Sequence, residues 1–187
     1  TDQGLSIGTV DLPQPWENLA SSDPAIRSEA VDLCVEYITS IYDSGVRIFF
    51  ACALIGNEDT DRKTREENAI EGFGPLCEAI SKLPNGGARI VLEGWPGPGP
   101  HFPVLACTPE GCRRLIQGTG AANLGINFDP SHLIRMGIDS VRFAEEFAQH
   151  VFHIHGKDTE VIEEGQYEYG TLQEPIEAPT IPYGGTY

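Results

Sequence analysis

Three residues whose side chains commonly bind metal ions lie at the ends of successive β-rich runs. Glu93 ends the run ARIVLE, Asp129 ends NLGINFD, and His155 ends HVFHIH. In a barrel of parallel strands the catalytic groups lie at the carboxyl ends of the strands, so we expect these side chains at one mouth. Two carboxylates and one imidazole suit a divalent cation such as manganese, cobalt, magnesium or zinc. The alternative for each carboxylate is structural, since it could cap the next helix or pair with a surface cation.

Other polar and aromatic residues lie close to these three in sequence. His132, three positions beyond the aspartate, could bind a substrate hydroxyl or relay a proton. Lys157 could stabilise negative charge that develops on a substrate, with a solvated loop lysine as the alternative. Trp95 could form an apolar wall of the pocket or only pack its own loop. His153 is expected on the same strand face as the strand-end histidine, one layer deeper, as a hydrogen-bonded core or supporting group.

The segments around these residues alternate β-rich runs with helical patterns, which is typical of a parallel sheet covered by helices. Asp23 and Pro24 predict the start of the first helix, which ends at Gly45. Its apolar spacing predicts that the buried residues are Ile26, Ala30, Leu33, Tyr37 and Ile41.

Later elements follow the same alternation. A strand is predicted at VRIFFACAL, and Thr64 with Glu67 forms a capping box for the helix after it. The Pro- and Gly-rich run WPGPGPHFP predicts a loop. Thr108 starts a short helix and Asp139 caps another. The acidic segment 159–187 shows no periodicity, and we predict a loop that folds over the site.

The strands are too few to close an eight-stranded barrel. Four are predicted, with a possible further strand at LSIGTV, and the chain has 187 residues, whereas a closed barrel typically needs about 250. We therefore predict an α/β protein with one incomplete (β/α)8 TIM-barrel domain over residues 1–187, roughly strands 3 to 7 and truncated at both ends. An open doubly wound sheet is the competing architecture, but no G-x-G-x-x-G turn follows a strand.

The charge of the chain narrows the range of partners. Its 12 basic and 28 acidic residues give a net charge of −16, which repels nucleic acid and anionic lipid surfaces. The sequence has no long apolar run and does not begin like a signal peptide. We therefore expect a cytoplasmic protein that binds a small molecule and neither nucleic acid nor a membrane. The sequence leaves open whether it forms a homo-oligomer.

Three motifs, LEGWPGPGP, GINFDPSHLIRMGID and HIHGKDTE, together resemble the sugar phosphate isomerase/epimerase family of xylose-isomerase-like TIM barrels. The resemblance covers nearly the whole chain. It implies that Glu93, Asp129 and His155 are metal ligands and that a further glutamate ligand lies on a later strand, beyond residue 187. It also implies that His132 binds substrate, and it places Lys157 in an H-x-K-D-like stretch of the family.

The resemblance further implies a reaction. A divalent cation would hold a carbonyl and a neighbouring hydroxyl of a sugar or polyol and stabilise the enediolate formed when the intervening proton leaves. Glu93 would be one acid/base group, and the further glutamate the other. We therefore predict a metal-dependent isomerase or epimerase, and we expect the 187-residue chain alone to be inactive.

Three other functions stay open at this point. An inosose dehydratase-like enzyme would begin with the same proton removal. An endonuclease IV-like nuclease shares the barrel, but the negative charge is unfavourable for DNA and no histidine ends VRIFFACAL. A non-catalytic barrel that only binds is the third alternative, because fold does not guarantee function.

Overall fold

The computed structural model describes residues 3–52, 54–56, 59–97, 104–157, 159–170 and 183–184. Five parallel strands form one sheet in their chain order, as in a (β/α)8 barrel. The strands are β1 (Thr9–Asp11), β2 (Ile48–Cys52), β3 (Arg89–Glu93), β4 (Leu124–Phe128) and β5 (Val151–Ile154). The helices are a 3-10 helix (Trp16–Ala20), α1 (Pro24–Tyr42), α2 (Arg62–Ser81), α3 (Pro109–Thr119), α4 (Pro130–Arg135) and α5 (Ser140–Phe147). The predicted partial barrel is confirmed.

The register of the sheet brings the predicted strand ends to one level. Glu93 pairs with Cys52 on β2 and with Asn127 on β4. Asn127 pairs in turn with His153 on β5. The residues that follow β4 and β5 therefore lie beside the end of β3, as the sequence predicted. Residues 98–103 of the predicted Pro- and Gly-rich loop lie outside the described residues.

A shift in register between β4 and β5 determines which side chains of β5 lie on each face of the sheet. Ile126 pairs with Val151, but the next residue of β4 pairs with His153, so Phe152 is an extra residue in β5. Its ring lies against Gly125, where an added Cβ would come within 2.5 Å of the ring atom Cδ2. A bulge of this kind redirects the side chains that follow it. Here it fixes which residues of β5 lie beside β4 at the barrel mouth.

The first helix begins as predicted, and Ala30 is buried as predicted, but most of the fully buried residues lie one position further along the helix. Asp23 caps it and Pro24 is its first residue. The prediction that Ile26 and Leu33 are buried is wrong, since these side chains are 40% and 44% exposed. Arg27 occupies the first position of the true buried face because its guanidinium bonds a backbone carbonyl and an acidic side chain of α2. The buried residues of α1 are Arg27, Ala30, Cys34, Ile38 and Tyr42.

The second helix begins one turn earlier than predicted. Asp61 is its N-cap, with Oδ1 accepting a 3.1 Å hydrogen bond from the Thr64 N–H and Oδ2 accepting one of 2.7 Å from the Thr64 hydroxyl. The predicted capping box of Thr64 and Glu67 is therefore wrong, because an aspartate three residues earlier takes the cap. The caps predicted at Thr108 and Asp139 are confirmed.

The acidic tail contains regular structure that its sequence pattern did not indicate. A helix, α6 (Glu163–Tyr169), follows β6 (Glu160–Val161), which pairs antiparallel with β7 (Tyr183–Gly184). Its sequence, EEGQYEY, has no apolar stripe, but two glutamates in the first turn favour the helix N-terminus. The predicted role of 159–187 as a cover over the site stays a prediction. Among the described residues, no helix combines the length and apolar character needed to cross a membrane.

Candidate metal centre

The three strand-end residues meet at one point. Glu93 is the last residue of β3, Asp129 directly follows β4, and His155 directly follows β5. The His155 atom Nδ1 lies 2.9 Å from Glu93 Oε1 and 3.8 Å from Asp129 Oδ2. Both carboxylates are buried, with side chains 7% and 1% exposed, whereas the histidine side chain is 34% exposed. The donors that the sequence predicted are thus brought together at the carboxyl ends of adjacent strands.

His132 joins the same cluster from α4. Its Nε2 lies 3.4 Å from Glu93 Oε1 and 3.4 Å from Asp129 Oδ2. One ligand atom from each of these three residues lies within 4.8 Å of the others, and all three residues are buried. The other ring nitrogen, Nδ1, is buried without a hydrogen-bond partner among the described residues. The resemblance assigned His132 to substrate, and the geometry also makes it a possible metal ligand.

Asp129 uses its two oxygens differently. Oδ1 accepts hydrogen bonds from the Ser131 N–H at 3.1 Å and from the Ser131 hydroxyl at 2.5 Å, and so caps α4. Oδ2 is buried and has no directed hydrogen bond among the described residues. It is the atom that faces the two histidines and the ammonium group of Lys157. Oδ1 therefore has the structural role of capping the helix, and Oδ2 is the atom that a cation could use.

Lys157 and Trp95 differ in their relation to the cluster. The Lys157 ammonium lies 2.8 Å from Asp129 Oδ2, so this lysine belongs to the cluster and is not a solvated loop residue. Trp95 lies two positions beyond Glu93 and is 38% exposed. Within the described part of the chain, no hydrogen bond or ion pair joins its side chain to the cluster. Its role as a pocket wall stays a prediction.

The surroundings keep Glu93 anionic. Burial by itself raises the pKa of this carboxyl, but hydrogen bonds from His132, His155 and the Cys52 thiol outweigh it and lower the pKa to about 2. A metal ligand must be deprotonated, so this carboxylate is in the form that binding requires. Burial also lowers the pKa of His153, and the neighbouring His155 adds to the effect. A lowered pKa favours the neutral ring.

Two residues of the site were not singled out from the sequence. Cys52 is the last residue of β2, and its thiol reaches Glu93. Asn127 is 1% exposed and contacts His153 on β5 and His155 directly after it. The signal for Asn127 was its position two residues before Asp129, which places both side chains on one face of the strand.

The donor set fits a divalent cation. Glu93, Asp129 and His132 each offer one ligand atom within 4.8 Å of the others, and His155 Nδ1 lies 2.9 Å from Glu93 Oε1. Asp129 Oδ2 has no directed hydrogen bond among the described residues, so its buried negative charge requires a positive charge nearby. Lys157 supplies one positive charge at the rim. A cation among Glu93, Asp129 and the two histidines would supply another.

Comparison with known proteins places the chain in a family. The profile of the family described as xylose isomerase-like TIM barrel matches residues 1–176. The uncharacterized protein YfiH of Bacillus subtilis (strain 168) is 40% identical over 76 residues, which cover 41% of this chain and 22% of YfiH. A D-tagatose 3-epimerase-like protein has a similar structure, with a TM-score of 0.67 and 21% identity over 84% of this chain and 58% of that one.

A further similar structure is that of the IOLI protein with a bound zinc atom. Its TM-score is 0.59, with 18% identity over 81% of this chain and 50% of that one. This chain therefore spans 22% of YfiH and 50 to 58% of the two solved proteins. At such identities the solved structures establish the fold alone. With the profile match over most of its length, the chain belongs to the xylose isomerase-like TIM-barrel family.

Proposed function

We propose that this chain carries most of the cation site of a divalent-metal-dependent isomerase or epimerase that acts on a sugar or polyol. The observation that carries the proposal is the convergence of Glu93 Oε1 and Asp129 Oδ2 on the same two histidine rings. Such a group of buried anionic and imidazole donors at the mouth of a barrel is a catalytic arrangement more than a stabilising one.

Glu93, Asp129 and His155 are the proposed ligands. A fourth donor completes a tetrahedral site. The resemblance places it on a later strand, as a glutamate outside this chain. His132 is the alternative within the chain, since its Nε2 is equidistant from both carboxylates at 3.4 Å.

The chemistry follows from the charges around this point. A divalent cation polarises the carbonyl and neighbouring hydroxyl of a substrate and so acidifies the C–H bond between them. Glu93 is ionised, because hydrogen bonds from its neighbours lower its pKa, and we assign it proton transfer as one acid/base group. His132, whose Nε2 lies 3.4 Å from Glu93 Oε1, is assigned to substrate binding or proton relay. Lys157 is placed to stabilise the negative charge that the substrate oxygens gain when the proton leaves.

A sugar or polyol is the substrate class that these groups favour. The cluster consists of hydrogen-bonding and charged groups, which suits a ligand rich in hydroxyls. The net charge of −16 is unfavourable for a nucleic acid. The name of the similar D-tagatose 3-epimerase-like protein points to the same class.

The test uses the full-length gene product after its metal has been removed with a chelator. Manganese, cobalt and zinc are titrated by calorimetry, and ketoses and inososes are then incubated with the loaded protein in D2O. We expect tight binding of one cation and, by NMR, deuterium uptake at the carbon next to the carbonyl. Glu93→Gln should lose both signals. Glu78→Gln, which changes an exposed carboxylate paired with Lys82, should retain them.

Two results would count against the proposal. If no cation binds, the metal site is wrong. If a cation binds but no sugar or polyol exchanges a proton, the assigned reaction is wrong and the site has another use.

A further inference from the structure

Asp129 is the buried member of the four aspartates that cap helices in the described part of the chain. The other three, Asp23, Asp61 and Asp139, are exposed. Asp129 is 4% exposed, and Ser131, which donates hydrogen bonds to it, is 8% exposed. Water is therefore a poor substitute for the hydrogen bonds between these two residues.

Both capping donors of Asp129 reach the same carboxylate oxygen. The Ser131 N–H and the Ser131 hydroxyl donate to Oδ1, at 3.1 and 2.5 Å. At Asp61, by contrast, the Thr64 N–H donates to Oδ1 and the Thr64 hydroxyl donates to Oδ2, at 3.1 and 2.7 Å. The same two kinds of donor thus engage both oxygens of Asp61 but leave Oδ2 of Asp129 outside the cap.

The sequence after each aspartate differs in a way that accounts for this contrast. Pro130 is the first residue of α4 and has no N–H to donate. The first capping donors therefore belong to Ser131, two positions after Asp129, whereas Thr64 lies three positions after Asp61. At the shorter spacing, both donors of one residue meet one oxygen.

The oxygen that this cap leaves out is the one that faces the metal centre. Asp129 Oδ2 lies 3.4 Å from Nε2 of His132 and 3.8 Å from Nδ1 of His155. Because a carboxylate is planar, the two hydrogen bonds that hold Oδ1 also fix the direction in which Oδ2 points. The donors of Ser131 therefore orient the proposed ligand without competing with a cation for Oδ2.

We propose that Ser131 is a positioning residue that restricts Asp129 to binding the cation through Oδ2 alone. The inference rests on the proposed function, because it assumes that Asp129 is a ligand. A carboxylate that binds through one oxygen takes one coordination position, whereas one that binds through both oxygens takes two. The restriction leaves positions on the cation for the carbonyl and hydroxyl oxygens of a substrate. Ser131 itself does not need to touch the substrate.

The first test compares zinc affinity in variants of the full-length gene product by calorimetry. Ser131→Ala removes the hydroxyl but keeps the N–H that caps α4, and we expect about 10-fold weaker binding because the carboxylate is less well oriented. Ser131→Thr keeps the hydroxyl and should bind zinc as the unchanged protein does. Thr64→Ala is the matched control, since it removes the corresponding hydroxyl from an exposed capping aspartate. It should leave zinc affinity unchanged.

The second test determines how Asp129 binds the metal. In crystals of the zinc-loaded protein, we expect only Oδ2 within bonding distance of zinc in the unchanged protein and in Ser131→Thr. In Ser131→Ala the carboxylate is free to turn, and both oxygens should lie within bonding distance. A general loss of stability would not produce this change in coordination.

The outcomes separate this inference from the proposed function. If the unchanged protein binds no zinc, the metal site itself fails. If it binds zinc, but Ser131→Ala matches Thr64→Ala in affinity and keeps Asp129 bound through Oδ2 alone, the role of Ser131 is wrong and the metal site stands. Equal weakening in Ser131→Ala and Ser131→Thr would also contradict this role, because the hydroxyl would not be the cause. If Ser131→Ala does not fold, the comparison of Ser131→Val with Ser131→Thr gives the same decision at equal side-chain size.

Discussion

Replacing Gly125 with alanine should disturb the metal centre from outside it. A Cβ at this position would lie 2.3 Å from the carbonyl oxygen of His150 and 2.5 Å from two ring carbons of Phe152. Ordinary contacts begin at 3.4 Å, so the start of β5 must move by about 1 Å, at a cost of about 1–3 kcal/mol for overpacking. At roughly 2–4 °C per kcal/mol for a domain of this size, Tm should fall by about 2–12 °C. Since β5 leads directly to His155, cation affinity should fall by roughly tenfold.

The assay is differential scanning calorimetry of the metal-free protein, followed by a zinc titration. Gly74→Ala makes the same chemical change in the middle of α2, where the added Cβ meets nothing within 4 Å. It should raise Tm or leave it unchanged, because alanine is the better helix former. If Gly125→Ala behaves like Gly74→Ala in both measurements, then β5 does not hold the ligand in the manner that we infer.

Three further changes have distinct expected results. Asp129→Ala should lower Tm by about 2–4 °C more than Asp129→Asn, because only alanine loses the cap on α4, worth about 1 kcal/mol; calorimetry should also show that neither variant binds zinc. The pKa of Glu93 is lowered from 4.5 to about 2 in the folded protein. Its contribution to the free energy of unfolding is therefore present above about pH 5 and lost as the pH falls toward 2. Over this range, the free energy of unfolding measured by denaturant titration should fall by roughly 3 kcal/mol less in Glu93→Gln than in the unchanged protein. Lys157→Met should slow deuterium exchange into the substrate while zinc binding persists; equal exchange rates would remove this lysine from the reaction.

The positions of the three strand-end donors could be predicted from the sequence because two local rules agree. β-Branched and apolar runs mark parallel strands, and polar residues that end them lie at the catalytic mouth. Glu93, Asp129 and His155 satisfy both rules. The ammonium contact of Lys157 and the approach of His132 then follow from their short separation from these strand ends.

Other features could not be predicted because they depend on contacts between distant segments. The contacts of Asn127 with His153 and His155 depend on the shift in register at Phe152, which no periodicity of the sequence shows. The face of α1 was predicted wrongly because Arg27 lies on its buried side, where partners from other elements satisfy its guanidinium. A helix such as α6, without an apolar stripe, gives no periodic signal at all.

Anomalous diffraction from zinc-loaded crystals of the full-length gene product tests the metal centre most directly. We expect one strong peak about 2.0–2.2 Å from Glu93 Oε1, Asp129 Oδ2 and His155 Nδ1. A fourth contact would show whether His132 or a residue outside this chain completes the site. A peak elsewhere would contradict the proposed metal site. So would the absence of a peak in crystals where the Lys157 ammonium still contacts Asp129 Oδ2.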